Sequence, residues 1–451
     1  MCQALCLAGA LSQAQALYAE VLKSEPRHYE CLHMLGVIAA RAGDPARAVE
    51  WISRAIGVEP KRAAAYCNRG LALERLERPE AALTDYDAAI ALDPGYAPAH
   101  LNRGIVLEDL GRWQEALAAF DRAIALDAGL AEAHFNRAAV LERFTRPHAA
   151  LESYERAMSI MPRMEFLRGP RRHTKMQLCD WDGFAADLAE LCAAIERGEA
   201  ACAPFAFLAL SGSAALQRRA AEIWARERGL LRNAPRAPLQ WGRHEKIRIG
   251  YFSADFRSHP VARLTAELFE MHDRGRFEVT AFAWGPDTPD PMRKRLRAAF
   301  DRFIDVDRSS AEEIARLARQ MELDIAVDLG GYTRDSRPGI FAARAAPVQV
   351  TFLGYPGTLG APFMDYLVAD RALVPPDQLR HYSEKILHLP SYQPNDATRR
   401  IARSRIARSA RGGLCVLLLQ RQLQDHAGGI RCLDADTEER SGQRPVVAQR
   451  G

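Results

Sequence analysis

The sequence predicts two architectures in series: an α-helical superhelical solenoid over residues 1–162 and an α/β lobe over 246–395, joined by a helical connector at 163–245. Three observations predict it. The first third repeats itself every 34 residues, the period stops at Pro162, and from Lys246 short apolar runs alternate with helical stretches. Composition bounds the rest. With 61 basic and 57 acidic residues over 451 positions, a charge of +4 makes no electrostatic case for a nucleic-acid or membrane partner. The nine cysteines are scattered and form no CxxC pair, which points to a reducing compartment and away from a zinc site. No run approaches the roughly 18 apolar residues of a membrane span, and no basic segment precedes an apolar signal core. The expectation is a soluble, cytoplasmic protein.

In the repeat region Pro26, Pro60, Pro94 and Pro162 share one register, with Ala128 at the missing step. Ala14, Ala48, Ala82, Ala116 and Ala150 share a second, and Gly36, Gly70, Gly104 and Ala138 a third. Small residues let paired helices approach closely, and proline ends a helix because it lacks an N–H and clashes with the preceding turn. A 34-residue period with these offsets resembles the tetratricopeptide repeat, two antiparallel helices per unit. Leu73, Leu83, Tyr86 and Ile90 fall at helical spacing as its seam. Four units are complete, at about 27–60, 61–94, 95–128 and 129–162, and a partial one precedes them, whose first helix is expected upstream of Met1. Asn68, Asn102 and Asn136 recur on the first helices, each followed by arginine (Arg69, Arg103, Arg137), while Met34 interrupts the series. Stacked, these asparagines either form a polar ladder that holds an extended peptide backbone or satisfy helix ends and solvent.

After Pro162 the basic patch Arg168, Arg171, Arg172 and Lys175 reads as a solvated face, followed by helices at about 181–198 and 213–230. The α/β region reads as strands at 247–252, 277–284, 302–306, 323–329, 347–353 and 365–369, with helices at about 261–271, 290–300, 309–320 and 335–344. This is a Rossmann-like half built on a parallel sheet. No GxGxxG follows its first strand, which argues against a dinucleotide enzyme.

Three strand ends carry unusual loops: Ser253 to Pro260 with Asp255 and His259, then Gly330-Gly331-Tyr332-Thr333, then Leu353-Gly354-Tyr355-Pro356-Gly357-Thr358. In open α/β sheets ligands bind beyond the carboxyl ends of the strands, so a histidine there is a candidate for chemistry. Glycines allow close backbone approach, and tyrosine and threonine offer hydroxyls. Each loop alone also reads as an ordinary turn, with Asp328 and Asp255 as helix caps. Together they predict one cleft.

The segments SADFRSHP, DLGGYT, APVQVTFLGYPGTLGAPFMDYLVAD and YSEKILHLP, behind tetratricopeptide repeats, resemble the O-linked N-acetylglucosamine transferase family over about residues 1–395. The resemblance implies a two-lobed GT-B glycosyltransferase that is independent of metal and needs no cofactor. It would transfer N-acetylglucosamine, with inversion, from UDP-N-acetylglucosamine to Ser or Thr of proteins. It makes His259 the active-site histidine, considered a general base in that family, and places Asp255, Pro260, Tyr332, Thr333, Gly354, Tyr355, Pro356, Gly357 and Thr358 in the loops lining the site. It also assigns Asn68, Asn102 and Asn136 to the acceptor-peptide groove. Arg263 departs from the pattern, since many relatives carry a second histidine there.

The family's second lobe is not recognisable after Pro394. Residues 396–451 are rich in Arg and Gln, show no sustained period and read as a disordered tail. Permitted codons for Leu414 onward, read one base later, encode a strand-bearing segment that resembles the opening of the second lobe. The tail is therefore expected to be a frameshift product beginning between about Arg399 and Leu414, and the chain as written to transfer little or no sugar. The alternative is a tetratricopeptide scaffold whose α/β region serves binding alone.

Overall fold

The computed structural model describes residues 11–231, 239, 241, 242, 244–285 and 290–396. The expected tail beyond Asp396 lies outside the described residues. The chain parts into two compact units between Asp182 and Gly183.

The first unit is the repeat arm. Among the described residues, helix α1 (Leu11–Ser24) precedes four hairpins: α2 (Tyr29–Arg41) with α3 (Pro45–Val58), α4 (Ala63–Arg75) with α5 (Pro79–Leu92), α6 (Ala97–Asp109) with α7 (Trp113–Leu126), and α8 (Ala131–Arg143) with α9 (Pro147–Ile160). The glycines of the third register are close-approach positions. A Cβ on Gly70 would stand 2.6 Å from Tyr86 Cε1, and Gly36 and Gly104 leave the same room for Ile52 and Phe120. Each bulky partner lies on the second helix of its own hairpin and is wholly buried. The arginines after the asparagines fasten second helices together. Arg69 reaches Asp85 at 2.6 Å in its own repeat and Ser53 at 3.1 Å in the preceding one. Arg137 likewise spans Ser153 and Asp121, both at 2.7 Å, and Arg103 holds Asp87 at 2.7 Å.

Helix α10 (Arg168–Gln177) closes this unit and corrects the reading of its basic patch as a solvated face. Arg172 is 1% exposed, and its guanidinium donates to the carbonyls of Asp180 and Asp182, which turn the chain beyond the helix. Arg171 pairs with Glu155 at 2.9 Å and Lys175 with Asp180 at 3.4 Å. A charge run is legible in sequence, but its burial depends on acceptors that only the turn supplies.

The second unit opens with α11 (Phe184–Glu196), α12 (Pro204–Leu210) and α13 (Ala214–Glu227). Among the described residues seven parallel strands follow: β1 (Ile247–Ser253), β2 (Phe277–Ala283), β3 (Arg302–Asp305), β4 (Ile325–Asp328), β5 (Val348–Phe352), β6 (Tyr366–Ala369) and β7 (Lys385–His388). Their order is β3-β2-β1-β4-β5-β6-β7. Helices α14 (Pro260–Glu270) and α15 (Pro291–Ala299) cover one face, burying Ile249, Tyr251, Phe256, Phe269, Leu296 and Phe300. Helices α16 (Ala311–Gln320), α17 (Gly339–Ala342) and α13 cover the other, over Phe252, Phe282, Ile314 and Phe341. Burial on both faces explains why these strands read as near-continuous apolar runs. The connector is therefore no unit of its own: α10 belongs with the arm, and α13 is part of the lobe's core. The strand order reverses between β1 and β4, which sets a topological switch point at their carboxyl ends.

Candidate active site

The three loops singled out in the sequence leave the carboxyl ends of β1, β4 and β5, which are neighbours in the sheet. His259 is the N-cap of α14, and its side chain is 38% exposed at the switch point. Its Nδ1 lies 3.4 Å from the Val261 amide and 3.4 Å from Asp255 Oδ2. The cap needs a lone pair on Nδ1, whereas the carboxylate needs a proton there. If Nδ1 carries the proton toward Asp255, Nε2 presents its lone pair outward, as a base requires. Burial pushes the Asp255 carboxyl above its ordinary range, with His259 and Arg257 pulling it back down.

The β1 loop is held from below. Asp290, the N-cap of α15, accepts from the Ser258 amide and, at 2.8 Å, from the Ser258 hydroxyl. The same carboxylate accepts the Met292 amide at 2.8 Å. Although its partial burial works the other way, these bonds hold the Asp290 carboxyl below its usual range. Arg293, 4% exposed, donates to the Phe256 carbonyl at 3.4 Å and pairs with Asp305. Pro260 follows at the first position of α14 and is exposed.

The other two loops correct the expectation of offered hydroxyls and glycines open to a ligand. Tyr332 is 6% exposed, and its hydroxyl donates to the Leu359 carbonyl at 2.8 Å. Tyr355 is 2% exposed and packs against Tyr332 and Phe205. The Thr358 hydroxyl is buried and donates to Glu384 at 2.6 Å, while that of Thr333 donates to the Gly330 carbonyl at 2.7 Å. Gly331, at φ +58°, makes room for the Tyr355 side chain, and a Cβ on Gly354 would stand on the Leu329 carbonyl oxygen. These glycines let the β4 and β5 loops dock on each other. Gly357 is buried, and Gly354 and Pro356 keep partial exposure. Asp328 fixes the start of the β4 loop: burial pushes its carboxyl up to about 6, while the Gly330 and Gly331 amides it accepts favour the charged form. Leu353 at φ +71° turns the β5 loop and is gripped through its carbonyl by the Tyr392 hydroxyl at 2.5 Å.

Asp290, Arg293, Glu384 and Tyr392 were not singled out in the sequence. Asp290 had a signal, an Asp-Pro pair opening a helix. The others become visible only when distant segments meet. In the arm, Asn68 donates to His33 Nε2 at 2.9 Å and Asn102 to Cys67 Sγ at 3.5 Å, each on the first helix of the preceding repeat, and all three asparagines remain half-buried. Burial lowers the pKa of His33, keeping it neutral as an acceptor.

The fold and loops of the described residues define the class: a tetratricopeptide arm and a Rossmann-like lobe with a histidine at its switch point. Residues 8–160 match the family described as tetratricopeptide repeat, and residues 233–395 match glycosyl transferase family 41. The chain is 40% identical over 156 residues to a probable UDP-N-acetylglucosamine–peptide N-acetylglucosaminyltransferase (SEC) of Arabidopsis thaliana, covering 34% of this chain and 16% of that one. It is 37% identical over 163 residues to the Caenorhabditis elegans UDP-N-acetylglucosamine–peptide N-acetylglucosaminyltransferase, covering 35% and 14%. A solved structure of a Thermobaculum terrenum O-GlcNAc transferase variant aligns over 74% of this chain and 58% of that one, with 27% identity and a TM-score of 0.48. Over part of its length, the chain is therefore similar to glycosyl transferase family 41 and to relatives named as peptide N-acetylglucosaminyltransferases. Its matched stretch spans about one-sixth of the length of these curated relatives. Among the described residues, no helix is long and apolar enough to cross a membrane.

Proposed function

We propose that this chain carries the repeat arm and first catalytic lobe of a cytoplasmic protein glycosyltransferase that moves N-acetylglucosamine from UDP-N-acetylglucosamine to Ser or Thr hydroxyls. The match of residues 233–395 to glycosyl transferase family 41 carries this reading. The switch-point position of His259 supports it. The acceptor oxygen attacks the anomeric carbon, the bond to the diphosphate oxygen of UDP breaks with inversion, and the acceptor proton passes to a base. His259, with Nδ1 directed at Asp255, is the candidate for that base, and no metal or cofactor enters the step. The acceptor is a protein or peptide laid along the half-exposed Asn68, Asn102 and Asn136.

The test begins with the encoding DNA across Arg399 to Leu414. The product of its open frame is assayed for sugar transfer from UDP-N-acetylglucosamine to acceptor peptides, beside the 451-residue chain. The product is expected to be active, and His259→Ala to slow it by about 100-fold or more. Absence of any frame leading into a second lobe, with peptide binding but no transfer, would favour the scaffold.

A further inference from the structure

The histidine loop is held by a residue outside every motif that the sequence singled out. We infer that Asp290 is a positioning residue for His259, acting through Ser258. This rests on the reading of His259 as the catalytic histidine. One carboxylate does two jobs: it caps α15 through the Met292 and Arg293 amides, and it accepts both the amide and the hydroxyl of Ser258, the residue next to His259. Ser258 is exposed, so no packing fixes it in place. The neighbouring anchors act further back, with Phe256 buried among Phe269, Phe300 and Phe303 and its carbonyl held by Arg293. Between Phe256 and the Pro260 start of α14, the bonds to Asp290 fix the backbone that carries the imidazole. They set its distance from both Asp255 and the Val261 amide, and so which ring nitrogen bears the proton.

Asp290→Ser separates the two jobs. Serine still caps α15, but its short side chain no longer spans to Ser258. The readouts, on the 451-residue chain, are hydrogen exchange of the Ser258 amide and the ring-nitrogen chemical shifts of His259. In Asp290→Ser the Ser258 amide is expected to lose about ten- to a hundredfold of its protection, the equivalent of a charge-assisted hydrogen bond. The His259 ring nitrogens are expected to move to the averaged shifts of a free imidazole. Asp290→Asn, which keeps a carbonyl acceptor in place, is expected to restore a substantial part of both. If Asp290→Ser deprotects Ser258 yet leaves the His259 ring shifts unchanged, Asp290 is only a cap and the inference fails. That result leaves the glycosyltransferase reading standing, because transfer and its loss in His259→Ala are measured separately. If Asp290→Ser melts α15, Ser258→Pro removes both the amide and the hydroxyl bond without touching the cap, and unchanged ring shifts there overturn the inference equally.

Discussion

Glu74 makes the arm's stability depend on pH in a direction opposite to that of most carboxylates. It lies half-buried on α4 and accepts from the hydroxyl of Tyr86, the wholly buried ring seated on Gly70. Burial pushes its carboxyl up from the ordinary 4.5 to about 7, with Asp109 adding to the rise and the Tyr86 bond and Arg75 opposing it. At pH below about 4.5 the carboxyl is neutral in folded and unfolded chains alike, and this site carries no penalty. As pH rises, the unfolded chain ionises first, so stability falls between about 4.5 and about 7 and is level above that. A rise of this size would amount to about 3 kcal/mol for a fully buried group. Solvent screening at a half-buried one cuts it roughly in half, to about 1.5 kcal/mol. Glu74→Gln keeps an acceptor for Tyr86 and cannot ionise. Urea unfolding followed by circular dichroism should find it about 1.5 kcal/mol more stable than the parent near pH 8 and equal to it near pH 4.5. A variant–parent gap that is the same at both pH values, or a Glu74→Gln chain less stable near pH 8, would refute the reasoning.

Gly354→Ala places a methyl on the Leu329 carbonyl and should cost about 2–3 kcal/mol, read as a lower Tm. Gly57→Ala, at an exposed helical position with nothing within 4 Å, should instead add about 0.5–1 kcal/mol. His244, hydrogen-bonded to Asp324 and Glu322 beside Arg248, has its pKa raised by those two bonds. Its contribution to stability is therefore present in acid and lost as pH rises through the raised value. The stability gap between parent and His244→Ala should be largest in acid and close on the alkaline side, and an NMR titration should place the His244 midpoint above 6.5.

Much of the architecture was legible. The 34-residue period located the four hairpins, because a helix that must pack on two neighbours repeats its small and large positions. Six of the strands fell where apolar runs stood between turn residues. The seventh, Lys385–His388, escaped because three of its four residues are exposed and it lies at the sheet edge. The loop edge was legible in outline only. The three loops do share one sheet edge, yet Tyr332, Tyr355 and Thr358 turned out to spend their polar atoms or ring faces inside the protein. A tyrosine beside a glycine reads the same whether it faces a ligand or fills the space the glycine leaves.

The sequence by itself determined the repeat, the parallel sheet and the histidine at its first strand end, since periodicity and turn chemistry are local. Tertiary structure decided which polar groups are spent in the interior and which stay free, because that depends on partners brought together from far along the chain. Arg172 is buried by carbonyls eight and ten residues on. Thr358 is held by Glu384, and the loop carrying His259 is held by Asp290, thirty-two residues beyond Ser258.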